Sequence, residues 1–369
     1  MHDERLARLL DWASGRPRGP HTLELGLTMA CNADCAFCWR QHPDTKLVGG
    51  TLSASRWRTI LDEARALDVR YVRVIGEGEP LLHPDAPEVL RHVKRLGIRS
   101  FLCTNGTLFT RDLIHDLVAY GWDWVSLSVE GPDSATHDEL VRKEGAFERV
   151  VWAAKRFARV KRALGSDRPG LNFGMALTTR NWRRIPEVLT LAAETGVHAV
   201  NLEPITVNSP ESVPLKLSAE QARAFVADVA PRVMEEGRRV GVRSNAGELT
   251  VKSILSTNQV HLALLEAVDR ADGLLKAPCF NPFWFLHLRA NGQVGSCGFW
   301  RAMHDEKLGA GSLEDVWFGG YYERMRGRLL RGELFSVCSD CNLGFVDDTL
   351  AIRSRLTAEL DGRSAHRVA

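Results

Sequence analysis

Eight cysteines carry the chemistry this chain can be expected to do. Cys31, Cys35 and Cys38 fall within one short segment, Cys338 and Cys341 form a C-x-x-C, Cys279 and Cys297 precede that pair, and Cys103 stands alone. The N-terminus is charged and lacks the apolar core of a signal peptide, so the expected compartment is the cytoplasm. Thiols stay reduced there, and clustered thiols bind metal or react. Iron–sulfur clusters are held by Cys thiolates, four for a fully ligated cubane. Three local thiols leave one iron open to a small molecule, which is a catalytic arrangement. Two other readings of Cys31, Cys35 and Cys38 stay open. Their i, i+4, i+7 spacing also lines one face of a helix, and a distant His could complete a zinc site. The four C-terminal thiols suit either a closed iron–sulfur cluster or a structural zinc, and taken by themselves they favour zinc.

The elements that must position these thiols follow a repeating pattern. Strand-like runs cover Thr22–Leu27, Tyr71–Ile75, Ser100–Cys103, Trp124–Val129, Leu171–Leu177 and Ala199–Leu202. Helical patterns fill the gaps at Ser55–Leu67, Ala86–Arg95, Thr110–Tyr120, Ala146–Lys161 and Arg184–Thr195, and a sixth covers 219–239. Six β–α units predict a parallel sheet, short of the eight that close a full barrel. The expected fold class is α/β, a partial (β/α)6 barrel with a small C-terminal α+β cluster-binding domain. The expected boundaries are a helical extension over 1–20, the barrel over 21–240, the cysteine-bearing domain over 241–345, and a helix and tail over 346–369. In the cysteine-bearing domain Asn291 and Gly292 between apolar runs predict a hairpin, and Ser312 predicts a helix start. The tail from about Arg363 is expected to fray.

Composition removes several classes. Basic and acidic residues, 48 against 46, nearly cancel. No stripe of Lys and Arg points to nucleic acid. No apolar run is long enough to span a membrane.

C-x3-C-x-aromatic-C directly after the first strand resembles the radical S-adenosylmethionine superfamily. Other motifs of that family fall in order, each at a C-terminal strand end, where β/α folds place their chemistry. Gly78, Glu79 and Pro80 follow the second strand and resemble a motif that contacts the methionine amino group; Glu77 replaces its first glycine. Thr104, Asn105 and Gly106 follow the third strand. Ser128 and Glu130 end the fourth, where relatives carry Ser-x-Asp-Gly reaching the cofactor. Arg142 matches an Arg that pairs with the cofactor carboxylate. The resemblance covers about residues 22–204. It implies that Cys31, Cys35 and Cys38 hold a 4Fe–4S cluster whose open iron chelates S-adenosylmethionine, with Phe37 near the adenine. One electron then releases a 5′-deoxyadenosyl radical that abstracts a substrate hydrogen. Cys279, Gly292, Cys297, Cys338 and Cys341 are similar to the twitch and SPASM extensions of the same enzymes. With no cysteine after Cys341, the pattern is that of twitch and implies one auxiliary 4Fe–4S cluster.

What the radical does next sets the reaction. Loss of a proton and an electron from a hydroxyl-bearing carbon gives a ketone, and a closed auxiliary cluster is a suitable electron acceptor. The resemblance therefore implies a dehydrogenase-like oxidoreductase acting on an aminocyclitol or sugar-like small molecule in antibiotic biosynthesis. Modification of a ribosomally made peptide is the alternative; the short stretch before the first strand leaves no leader-binding domain, so a separate protein would supply one. Epimerisation or decarboxylation of a sugar or nucleoside, and a non-enzymatic metal-binding scaffold, are the others. Glu203 is the candidate general base or ammonium ligand, and Arg180 the candidate anion ligand. Cys103 reads as a core thiol, or as a hydrogen donor if the reaction is an epimerisation. A flavodoxin- or ferredoxin-type electron donor is implied by the family alone.

Overall fold

The computed structural model describes residues 2–43, 45, 49–207, 209–255, 262–268, 271–298, 306–341 and 343–368. The strands are β1 (Thr22–Leu25), β2 (Tyr71–Val74), β3 (Arg99–Thr104), β4 (Trp124–Ser128), β5 (Gly170–Leu177), β6 (Ala199–Pro204), β7 (Arg243–Ser244), β8 (Phe285–Leu288), β9 (Gln293–Gly295) and β10 (Glu306–Lys307). The helices are α1 (His2–Ala13), α2 (Ala54–Ala66), α3 (Ala86–Arg95), α4 (Arg111–Ala119), α5 (Ser134–Val141), α6 (Ala146–Leu164), α7 (Ile185–Thr195), α8 (Ala219–Ala224), α9 (Ala230–Val240), α10 (Val251–Leu255), α11 (Leu262–Glu266), α12 (Leu313–Trp317), α13 (Gly320–Leu330) and α14 (Leu343–Val368). The chain divides into two compact units, one of residues 26–54 and 73–255, the other of 1–25, 55–72 and 256–369.

In the first unit β3, β4, β5, β6 and β7 lie side by side in sequence order, all parallel. With helices in the connections this is the open, partial β/α barrel that the alternation predicts. The register assigns each strand two faces. Leu102, Val125, Leu171, Phe173, Val200 and Leu202 share the side that is wholly buried. The opposite side aligns Cys103 with Ser126 and Asn172, Ser128 with Gly174 and Asn201, and Ala176 with Glu203. Asn201 and Glu203 are exposed there, although β6 has neighbours on both edges. A central parallel strand is ordinarily buried on both faces. A polar, accessible face marks the inner wall of an open barrel.

Local chemistry accounts for the helix ends. Thr110 caps α4 by accepting from the Leu113 amide at 3.1 Å. Asp133 caps α5 by accepting from Thr136 at 2.9 Å. Each satisfies an amide that the first turn would otherwise leave unpaired. Helix α5 is absent from the sequence-based expectation. The expected helix over 219–239 is interrupted by a π-helical turn at Phe225–Val229 between α8 and α9.

In the second unit β8 pairs parallel with β1, from Thr22 opposite Phe285 to Leu25 opposite Leu288, and antiparallel with β9, completing the expected hairpin. Leu6, Leu9 and Leu10 of α1 are buried among Phe280, Phe283, Leu329, Ile352 and Leu356. Each such burial stabilises by about 1.5–3 kcal/mol. Arg5 adds a two-pronged bond to Asp348 of α14, at 2.6 and 2.9 Å, the paired geometry that suits guanidinium and carboxylate. The N-terminal helix is therefore core to the unit that carries the C-terminal cysteines. The C-terminal residues continue as helix to Val368, where composition predicts fraying. Among the described residues no helix is long and apolar enough to cross a membrane.

Candidate functional site

Cys31, Cys35 and Cys38 lie in a loop, not on a helix, and the first turn after them is a 3-10 turn at Trp39–Gln41. The reading of these thiols as one face of a helix is thereby corrected. What shapes the loop is α5. Its last carbonyls have no partners within the helix. The loop supplies them: the Asp34 amide donates to Val141 O at 3.1 Å and the Ala36 amide to Leu140 O at 3.0 Å. Phe37 packs beside Ala36, Leu140, Leu215 and Ile205. Burial pushes the Cys35 and Cys38 thiols up. After burial, the groups acting on Cys35 are Glu130, Cys38 and Cys31, so the three sulfurs share one setting. Among the described residues no compact group of three His, Cys, Asp or Glu forms a ready-made single-ion site.

The segment after β2 closes onto this loop. A Cβ at Gly78 would stand 2.0 Å from Ala30 O, backbone against backbone, so only glycine fits. The Glu79 amide donates to Ala30 O at 2.8 Å. The Glu79 carboxylate accepts from Thr104 Oγ1 at 2.6 Å, the Asn105 amide at 2.8 Å and the Leu81 amide at 3.0 Å. It is buried and acts as the N-cap of the 3-10 turn Pro80–Leu82. Burial raises its pKa, and those three donors oppose the rise. Glu77, in place of the family's first glycine, adopts a left-handed φ of 62°. That conformation costs a residue with a Cβ about 1–2 kcal/mol.

Asn105 is drawn into a ring that its motif does not foretell. Its Nδ2 donates to Asn32 Oδ1 at 2.8 Å, Asn32 Nδ2 donates to Thr107 Oγ1 at 2.9 Å, and Thr107 Oγ1 donates to Asn105 Oδ1 at 2.8 Å. Three side chains thus tie the residue after Cys31 to the end of β3. A closed ring polarises each of its bonds.

At the end of β4 the Glu130 carboxylate is buried and accepts from the Ala176 amide at 2.8 Å. Burial, then the Glu203 charge, pushes it up to about 8. The Glu130 amide donates to His137 Nδ1 at 3.0 Å, which leaves the proton of the neutral ring on Nε2. Asn181 donates to both Glu130 O and Ala176 O, at 2.9 and 2.8 Å, and locks the two strand ends together. Ser128 is half-buried on the inner face beside Gly174.

Glu203 is brought together with a residue the motifs do not flag. Although the Glu203 side chain is open on the inner face, the protein around it displaces bulk water; that desolvation raises its pKa, and Arg73 of β2 is the charge that opposes the rise. Arg73 lies over the Phe101 ring, 5.6 Å from its centre, and Phe101 shares a face of β3 with Cys103. Such a cation over a ring face is attracted by the ring's quadrupole. Cys103 is pushed up to about 12 by burial, then by Glu203 and Glu79, so its thiol stays protonated. The signal for Arg73 lies in the sequence: it alternates with Val72 and Val74, a charge set into an otherwise buried-looking strand. Arg180 lies elsewhere, exposed, with Nε 3.4 Å from Glu139. Arg142 ends α5 at φ 52° and its guanidinium stands 3.7 Å from Asp34. Both pairs are exposed and worth about 0–1 kcal/mol, so either guanidinium is readily released to an anion.

In the other unit Cys279, Cys297, Cys338 and Cys341 line one cavity of about 70 Å³. A single water needs only about 10–15 Å³. One zinc at about 2.3 Å from four sulfurs would occupy less than this space. Burial raises the Cys279 thiol well above its ordinary value, and Cys297, Cys341 and Cys338 act on it in turn. Both thiol sets fit iron–sulfur clusters: each gathers half-buried thiols that act on one another and would ionise on binding iron, and the C-terminal four also share a cavity larger than one ion.

Residues 25–192 match the Radical SAM superfamily. The AdoMet-dependent heme synthase of Methanosarcina barkeri is 30% identical over 183 residues, 50% of each chain. The PqqA peptide cyclase of Streptomyces rochei is 32% identical over 196 residues, 53% of this chain and 50% of the cyclase. The chain thus spans about half the length of these curated relatives. SuiB of Streptococcus suis, solved with S-adenosylmethionine and with the precursor peptide SuiA, shares the fold. The first of those structures gives a TM-score of 0.63 at 17% identity, over 92% of this chain and 73% of SuiB.

Proposed function

We propose that this chain, whose residues 25–192 match the Radical SAM superfamily, is a radical S-adenosylmethionine enzyme that oxidises a hydroxyl-bearing carbon of an aminocyclitol- or sugar-like small molecule. When bound, S-adenosylmethionine on the first 4Fe–4S cluster supplies hydrogen-abstracting chemistry, and a second cluster supplies an electron acceptor. Cys31, Cys35 and Cys38 hold the first cluster; Cys279, Cys297, Cys338 and Cys341 hold the second. Phe37, Gly78, Glu79, Pro80, Asn105, Ser128, Glu130 and Arg142 form the cofactor's surroundings. Within that set Glu79 and Asn105 act through the backbone they fix, since their side chains are spent on the loop ring and the turn cap.

The observation that carries the oxidative reading is the cavity shared by four thiols, because removal of two electrons from a substrate needs a place for the second one. Glu203 accepts the hydroxyl proton. Its raised pKa brings it toward the pH of reaction, where a general base is most effective. Arg73 keeps that carboxylate aimed at the inner face, and the neighbouring Asn201 offers an amide to a second hydroxyl. Arg180 is the anion ligand at the rim. A peptide substrate is the second reading, and the PqqA peptide cyclase among the relatives favours it.

The test is anaerobic reconstitution with iron and sulfide, then counting iron and 5′-deoxyadenosine. About eight irons per chain, falling to about four in the Cys31/Cys35/Cys38→Ala variant along with loss of 5′-deoxyadenosine, supports two clusters. Glu203→Gln is then expected to lower kcat by about 10²–10⁴-fold on an alcohol substrate. Turnover only with a peptide, at wild-type rate in Glu203→Gln, would replace the small-molecule reading.

A further inference from the structure

The four-thiol cavity has an apolar wall, formed by Met325, Leu329, Leu334, Phe335 and Phe345 among others. Asn281 breaks that wall directly beside two of the sulfurs. We propose that Asn281 is a positioning residue that sets the reduction potential of a cluster held by Cys279, Cys297, Cys338 and Cys341, through hydrogen bonds to two ligand sulfurs. The inference rests on reading that cavity as a closed iron–sulfur site.

Two donors of one residue make the case. Asn281 Nδ2 stands 3.8 Å from Cys297 Sγ. The Asn281 backbone amide also acts on the Cys279 sulfur, drawing that thiol's pKa down against the rise that burial causes. A thiolate only accepts, so the amide nitrogen is the end of the side chain that suits this place. The side chain is buried and its backbone is pinned. It opens the 3-10 turn Asn281–Phe283, in which the Phe283 amide donates to Phe280 O at 2.9 Å and the Trp284 amide to Asn281 O at 3.1 Å. The next carbonyl, Pro282 O, accepts from Arg326 Nε at 2.9 Å. Arg326 is itself clasped by the rings of Trp12, Trp317 and Tyr322, at 4.5, 4.4 and 4.8 Å. The turn therefore holds its donors in place whether the sulfurs carry more charge or less.

The physical consequence has a fixed sign. A donor on a ligand sulfur stabilises the added negative charge of the reduced cluster more than the oxidised one, which raises the potential. In an apolar cavity the effect is undiluted by water. A higher potential is what an electron acceptor requires, so Asn281 would bias the site toward accepting the electron that substrate oxidation releases.

The test uses the full chain with Cys31, Cys35 and Cys38 all changed to Ala, so that one cluster is left. The midpoint is read by redox titration followed by electron paramagnetic resonance, with iron and zinc counted in the same samples. Asn281→Leu and Asn281→Asp both remove the side-chain donor, and the second keeps its size. The expected result is about four irons in every protein and a midpoint lower than the parent in both variants, lowest in Asn281→Asp. Should Asn281→Leu fail to hold iron, Asn281→Asp decides. Full iron with an unshifted midpoint in either variant overturns the proposal, and so does loss of iron from both in a folded chain, which would make Asn281 a residue of assembly. A parent that binds zinc in place of iron would sink the cluster reading itself, a result distinct from an unshifted midpoint.

Discussion

Replacing Glu130 by Gln should stabilise the protein, and by an amount that depends on pH. The residue is 4% exposed, and its carboxyl is pushed from an ordinary value of 4.5 up to about 8 by burial and then by Glu203. A folded-state pKa above the unfolded one means that the folded chain holds a proton the unfolded chain has lost. Stability therefore falls as pH rises from about 4.5 to about 8, and levels off above that. At about 1.36 kcal/mol for each tenfold step, the whole fall is about 5 kcal/mol, of which about 3 kcal/mol lies between pH 6 and pH 9. Gln cannot ionise, yet its side-chain oxygen still accepts from the Ala176 amide. Urea midpoints of reconstituted wild type and Glu130→Gln, without S-adenosylmethionine, should be measured at both pH values. The advantage of the variant should grow by about 3 kcal/mol from pH 6 to pH 9. A constant difference would refute the argument, since every other titrating group is common to the two proteins.

Three further substitutions follow from named contacts. Gly78→Ala forces a Cβ to 2.0 Å from Ala30 O. It should lower stability by about 2–4 kcal/mol and reduce iron bound by the Cys31 loop. Gly49→Ala, which meets nothing within 4 Å, is its control, and equal urea midpoints for the two would count against the close approach. Asn32→Leu opens the side-chain ring with Asn105 and Thr107. The expected loss is about 1–3 kcal/mol, with faster iron release to a chelator; unchanged release would show that the ring does not hold the loop. Arg326→Leu leaves Pro282 O and Trp317 O without their donor and empties the space between three rings. The expected loss by urea midpoint is about 2–5 kcal/mol. A loss under about 1 kcal/mol would mean that water or a neighbour replaces the guanidinium.

The parts of the site that repeat on a short scale were legible in the chain. The three-cysteine segment, the Gly78–Pro80 segment and the period-two strands each carry their own signal, so the barrel and the order of its motifs could be read directly. What escaped was anything set by a partner distant in sequence. Asn32 looks like filler between two cysteines until the end of β3 returns to it. Arg73 looks like a flaw in an apolar strand until the fold brings Glu203 within reach of its charge. Helix α5 spans only Ser134–Val141 with a weakly amphipathic pattern, yet its last turn moulds the cysteine loop. Helix α1 reads as an appendage because nothing near it in sequence buries Leu6 or Leu9, whereas Phe283 and Leu356 do. Arg180 is another such case: its strand-end position is plain in the chain, but its pairing with Glu139 at the surface is not.

The pairing of β1 with β8 also has a consequence in time. Thr22 lies near the start of the chain and its partner Phe285 far toward the end. At about 5–20 residues per second, a ribosome releases the first roughly 10–50 s before the second. Throughout that interval one edge of β1 has no strand to bind, and the thiols of Cys31, Cys35 and Cys38 emerge directly behind it. An open edge is a template for pairing with another chain. Iron delivered after β8 has emerged meets a finished strand, whereas iron delivered earlier meets thiols on a segment still free to associate. Yield of loaded protein in a cell should therefore respond to the rate of translation, and slowing the ribosome between the codons for β1 and β8 should favour aggregate over enzyme.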